Sequence, residues 1–158
     1  MPNTQSMCTS FMSELMTATH NFGTAPIRAA STADTFKAAL YLASATVNAS
    51  TTVYSTTGEV TGTNYTAGGV TVTNATAPLS SNTSATAGTG YWTPSASLTY
   101  TNVTLTTAFD AVLIYNSTQS NKAVSVHTFG SQTVTAGTFT LTMPSNTTST
   151  ALLRLATT

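Results

Sequence analysis

The spacing of apolar positions along the chain changes once, near residue 34. Before that point Cys8, Phe11, Met12, Leu15, Met16 and Thr19 recur at i, i+3, i+4, i+7, i+8 and i+11, the stripe of a short amphipathic helix. Thr9 or Ser10 is placed to cap its first turn, and Gly23 to stop it. A helix of this length is not stable alone in water, so its stripe must pack on the rest of the chain or on a neighbouring molecule. Residues 24–33, with Pro26 and a run of Ala, Ser and Thr, read as an extended connection.

From Asp34 onward the period is two, the signature of strands. Thr35–Ala43 places Phe36, Ala38, Leu40 and Leu42 on one face and Lys37 and Tyr41 on the other. Val53–Thr56 predicts a weaker strand, and Gly58–Gly69 a turn-rich excursion closed by a tight turn at Gly68–Gly69. Val70 and Val72 begin another strand, whereas residues 77–90, nearly all Pro, Ser, Asn, Thr, Ala and Gly, predict an exposed loop. Beyond Tyr91 and Trp92 come Ser97–Tyr100 and Val103–Thr107, broken at Asn102, then Ala108–Tyr115, apolar on both faces as a central strand is. Asn116–Asn121 is turn chemistry leading into Ala123–Phe129; Thr138–Met143 and the closing Ala151–Ala156 follow. About eight strands separated by turns, with no β–α alternation, predict an all-β antiparallel sandwich with a jelly-roll topology, and no fixed repeat points to a propeller or solenoid. The expected organisation is an N-terminal arm with its helix over residues 1–33 and a β-sandwich domain over 34–158.

Composition strengthens the β reading. Threonine occurs 39 times in 158 residues, and charged side chains make up only 5%, against roughly 25% in an ordinary soluble domain. Threonine is β-branched and stiff, so it suits a pleated surface while its hydroxyl meets water. With 41% apolar residues and a formal net charge of zero, the chain does not have the composition of a disordered protein. It also carries no field to draw phosphate backbones or anionic lipid, so neither nucleic acid nor membrane is an expected partner. A surface with so little charge has little protection against association, which suits a protein that works inside an assembly. Cys8 is the single cysteine, so no internal disulfide forms, and without a charged, apolar leader synthesis in a cytoplasm is expected.

Candidate chemistry is sparse. The ionisable side chains are Glu14, His20, Arg28, Asp34, Lys37, Glu59, Asp110, Lys122, His127 and Arg154. Asp110 and His127 could join a serine in a hydrolytic triad, but no nucleophile-elbow pattern accompanies them, and the plainer reading puts both on the surface or edge of strands. His20 is placed to bond the last carbonyls of the N-terminal helix. One cysteine, two distant histidines and scattered acids give no metal-ligand spacing, and no cofactor is expected. What remains is adhesive: Phe11, Met12, Leu15 and Met16 on the helix, with Tyr91 and Trp92 beside the 77–90 loop, are the candidate interface residues. Membership of the domain's own core is the competing account for these groups.

Several stretches carry a family resemblance: Met7-Cys8-Thr9-Ser10-Phe11, Phe36-Lys37-Ala38-Ala39-Leu40-Tyr41, Asn64-Tyr65-Thr66-Ala67-Gly68-Gly69 and Leu113-Ile114-Tyr115-Asn116. Together they make the chain resemble small β-rich proteins of tailed-bacteriophage virions, of the capsid decoration or cement type. Residues 77–100 depart from that pattern. The resemblance implies a viral structural protein, not an enzyme, located on the capsid surface of the virion. Its implied partners are the major capsid protein or other virion proteins, with self-association as a dimer or trimer. A tail, fibre or neck component recognising a host glycan or protein is the alternative, for which Tyr91 and Trp92 would supply exposed rings.

Overall fold

In a computed structural model, residues 3–16, 19–22, 33–81 and 88–156 are described. Their elements are β1 (Ser6–Met7), α1 (Thr9–Met16), β2 (Phe36–Leu42), β3 (Val70–Thr71), β4 (Leu79–Ser81), β5 (Thr89–Trp92), β6 (Leu98–Asn116), β7 (Lys122–Leu141) and β8 (Leu153–Ala156). The chain is mostly β, built as two antiparallel sheets with one short helix. The larger sheet runs β1-β7-β6-β2-β3 and the smaller β4-β5-β8.

The apolar run Ala108–Tyr115 sets the centre of the large sheet. It forms the second half of β6, paired with β2 on one side and β7 on the other. Phe109, Leu113 and Ile114 are fully buried there, and burying each such side chain is worth about 2–3 kcal/mol. On β2 both faces are covered: Tyr41, expected on the opposite face from the core, is buried, while Leu42 is half-buried. The Tyr41 hydroxyl makes this tolerable by donating to the Ser55 carbonyl, since a buried hydroxyl needs a partner.

Expected breaks are absorbed into longer strands. Leu98–Asn116 is one strand of 19 residues, with Asn102 taking a left-handed φ of 52° at a shift of register. Its carbonyl is held by Asn64 Nδ2 at 2.9 Å. Likewise β7 runs unbroken for 20 residues. It passes Ala136 at φ 46°, whose N–H donates to Thr104 Oγ1 at 3.0 Å. Such irregularities bend and twist a strand without ending it.

The 77–90 stretch also differs from the expected loop: it holds β4 and the start of β5, because β8 pairs with β5 and β5 with β4. The long separation of β5 from β8 in sequence hides that pairing from any local pattern. Val53–Thr56 contributes only a bridge from Val53 to Lys122. The expected turn at 68–69 is present, with both glycines at positive φ.

The N-terminal segment is part of the large sheet. Ser6 and Met7 pair with Val126 and Ser125 of β7, the Cys8 N–H donates to the Val124 carbonyl at 3.0 Å, and Cys8, Phe11 and Phe22 belong to the same core as β2, β6 and β7.

Candidate interaction surface

The helix begins at Thr9, the first residue beyond β1, and its 3.6-residue period puts Phe11 and Leu15 one turn apart on one side. Across from them stands the small sheet, where the period of two brings Trp92 beside Leu153 and Gly90 beside Leu155. Between helix and sheet lies an apolar cleft of about 130 Å³, with Met7, Phe22 and Tyr91 also in its wall. Four of the six candidate residues, Phe11, Leu15, Tyr91 and Trp92, thus line one cleft. Met12 and Met16 have side chains outside the described residues.

Burial divides the four. Phe11 and Trp92, each 2% exposed, form the floor and belong to the core, whereas Leu15 and Tyr91 are half-buried. Trp92 is locked: its Nε1–H donates to Asn74 Oδ1 at 2.9 Å, and Asn74 Nδ2 donates to the Phe22 carbonyl at 2.6 Å. Phe22 meets the indole edge-on at 4.8 Å and stacks on Phe36 of β2 at 4.4 Å. This ring stack ties the small sheet to the large one. Leu79 and Leu155, 45% and 48% exposed, complete the cleft at its lip. Neither stood out in the sequence; the only available signal for Leu155 was its alternation with Leu153.

A polar network holds α1 in place. Glu14 accepts from Lys122 Nζ and from His20 Nε2, each at 2.7 Å. Burial alone would raise the Glu14 carboxyl, but the hydrogen bonds from Lys122 and His20, with the charge of Lys122, outweigh it and hold the group below the usual carboxylate range. His20, expected to cap the helix, serves elsewhere: its Nδ1 meets Asn116 Nδ2 at 3.0 Å. Asn116 also donates to Asp34 Oδ2 at 2.7 Å, which in turn accepts from the Asn21 N–H at 2.9 Å. The Glu14 carbonyl of the helix already accepts from the Thr19 N–H at 2.8 Å, and a side-chain partner across the fold satisfies the buried imidazole.

The remaining polar groups are separate from the cleft. His127 Nε2 meets Ser125 Oγ at 2.9 Å, but Ser125 is fully buried. Asp110 Oδ1 accepts from Asn3 Nδ2 at 2.6 Å, and among the described residues no hydrogen bond joins it to His127. Both are half-buried; Asp110 lies on interior β6, so its placing at an edge or surface is corrected, whereas His127 stands on β7 one residue past the pair of residues that β1 covers. Burial pushes His127 down to about 4 and Cys8 up to about 12, the latter with help from Glu14. Buried Glu59 accepts from Tyr54 Oη, Tyr65 Oη and the Gly68 N–H at 2.6, 2.7 and 2.7 Å, a satisfied carboxylate that organises the 54–69 excursion. Among the described residues no three His, Cys, Asp or Glu stand close enough to hold a metal ion, and no helix is long and apolar enough to cross a membrane.

No protein-family model, no curated protein and no solved structure matches this chain.

Proposed function

We propose that the chain is a non-catalytic structural protein of a tailed-phage virion, a decoration or cement protein that seats on the head shell through the α1–small sheet cleft. The observation that carries this reading is the cleft itself: an apolar floor of Phe11 and Trp92 with exposed Leu79 and Leu155 at the lip. Exposed apolar groups around a preformed cleft mark an interaction site more often than chance packing does. The near absence of surface charge and the family resemblance of the sequence support the same reading. In finer detail we take the two sheets, tied by the Trp92–Phe22–Phe36 stack, as the layers of a jelly-roll-like sandwich.

Such a protein stabilises by linkage, because whatever binds only the assembled shell favours that shell in proportion to occupancy and affinity. The test is the copy number of the chain in purified virions, by quantitative mass spectrometry against the major capsid protein, for the native chain and for Leu79→Asp and Leu155→Asp. A copy number that is a simple fraction of the shell protein's, lost in the two variants, is expected. A handful of copies per particle would move the chain to tail or neck, and absence would end the virion reading. Point substitutions are the right probes, because removing residues 1–23 would strip Cys8, Phe11 and Phe22 from the core.

A further inference from the structure

Among the described residues the large sheet has one long side without a neighbouring strand. Along β7, β6 covers one edge from Lys122 to Leu141, but on the other edge β1 covers only Ser125 and Val126. Beyond Thr128 the outer edge of β7 meets no strand among the described residues, and most of its side chains there are exposed. The other strands at sheet edges are short: two residues in β1, two in β3, three in β4 and four in β8. On the far side of the same hairpin, the distal part of β6 is covered by the 58–69 excursion, through the Thr104 N–H on the Thr63 carbonyl and Asn64 on the Asn102 carbonyl.

Proteins guard long edges with charge, proline or bulges. No charged residue and no proline occurs from Thr128 to Met143. Register shifts do occur, at Phe109, Leu105 and Val103 opposite this half of β7, but the pairs Tyr100–Phe139, Thr99–Thr140 and Leu98–Leu141 are regular. Phe139–Leu141 is therefore a regular stretch of edge with no charge or proline, entered just past the register shift that faces Gly137 and Phe139. Its faces are already sorted: Phe139 and Leu141 are half-buried, while Thr138 and Thr140 are exposed.

We propose that this edge pairs with the same edge of a second copy, antiparallel about a two-fold axis at Phe139, joining the two large sheets into one. A strand edge names its occupant more narrowly than an apolar face does, since a row of main-chain donors and acceptors is completed by another strand. Uncharged threonine surfaces let identical edges meet without like-charge repulsion, the requirement of an isologous contact. In this register Thr138 stands opposite Thr140 of the other copy, a favourable cross-strand pair, and the Phe139 rings adjoin on the side that faces the core. The contact is separate from the cleft and does not depend on what the cleft holds.

The register gives a charge-pairing test. The purified chain is expected to sediment as a dimer, with amide exchange in 137–141 that speeds up on dilution. The double variants Thr138→Lys with Thr140→Lys, and Thr138→Glu with Thr140→Glu, place like charges opposite each other and should each weaken the dimer by about tenfold or more. Mixing the two should restore it as a heterodimer. Circular dichroism identical to the native chain verifies folding at these exposed positions. A native chain that is monomeric at every concentration, or a dimer indifferent to both double variants, would overturn the proposal.

Discussion

Asn116 and His20, 96 positions apart, meet at 3.0 Å between Asn116 Nδ2 and His20 Nδ1, and this contact dictates the tautomer of the ring. Asn116 Oδ1 accepts from the Thr118 and Gln119 N–H groups at 3.1 and 3.2 Å, so the NH₂ end of the amide must face His20. Nδ1 is then an acceptor, and the ring proton on Nε2 donates to Glu14 Oε2 at 2.7 Å. One buried amide joins the β6–β7 turn, the N-terminal helix and Asp34.

Replacing Asn116 by alanine would orphan His20 Nδ1 and the two turn N–H groups at once. Water can reach the exposed Thr118 and half-buried Gln119, so the cost falls mainly on buried His20, and a loss of roughly 2 kcal/mol is expected in urea unfolding. A loss under about 1 kcal/mol would show that water replaces the amide freely.

The tyrosines predict an alkaline limit. Burial pushes Tyr41 and Tyr115 from the ordinary 10.0 up to about 12, and burial followed by hydrogen bonding to Glu59 pushes Tyr54 and Tyr65 higher still. Above pH 10 the unfolded chain loses phenolic protons that the folded chain keeps, so stability is full below 10 and falls as pH rises towards 12. Tyrosinate absorbance should therefore appear together with loss of the β-sheet signal. Smooth phenol titration at 10 in the folded protein would contradict the buried placement.

At the acid end His127 acts with the opposite sign. Its folded value of about 4 lies below the ordinary 6.5 because burial disfavours the charged ring. Stability is thus present above 6.5 and declines as pH falls towards 4, because only the unfolded chain takes up the proton. The variant His127→Gln keeps a partner for Ser125 Oγ and cannot charge. Its melting temperature should change less than that of the native chain between pH 6.5 and 4; equal slopes would remove His127 as the cause.

Two glycines separate a required from a free position. Gly69 has φ +71°, and a Cβ there would strike the Ala38 carbonyl of β2; Gly69→Ala should cost about 3 kcal/mol or more. A Cβ on Gly90 would meet only the Leu155 carbonyl at 3.9 Å, so Gly90→Ala should be neutral or stabilising by up to about 1 kcal/mol. Thermal melts of the pair decide it.

Local pattern made much of the fold legible. The helix Thr9–Met16 followed from a 3.6-residue stripe, the central strand from the unbroken apolar run Ala108–Tyr115, and the hairpin turn from Asn116–Asn121. The candidate cleft was half legible: Phe11, Leu15, Tyr91 and Trp92 were named as separate groups, but their meeting depends on β5 pairing with β8. Of the small sheet's strands, Leu79–Ser81 and Thr89–Trp92 are too short and too polar for periodicity to register. The polar partnerships of His20, Glu59 and Asp110 were not legible at all, because hydrogen bonds between distant side chains leave no spacing in the chain.

The sequence by itself determined a β-rich, charge-poor protein with a short N-terminal helix, since threonine content, period-two alternation and turn residues act over neighbouring positions. Only the tertiary structure decided which breaks became bulges, which strands share a sheet, and which edge of β7 carries no further strand among the described residues. Those outcomes depend on backbone hydrogen bonds between segments far apart in the chain, satisfied only once the whole sheet has closed around Phe109, Leu113 and Ile114.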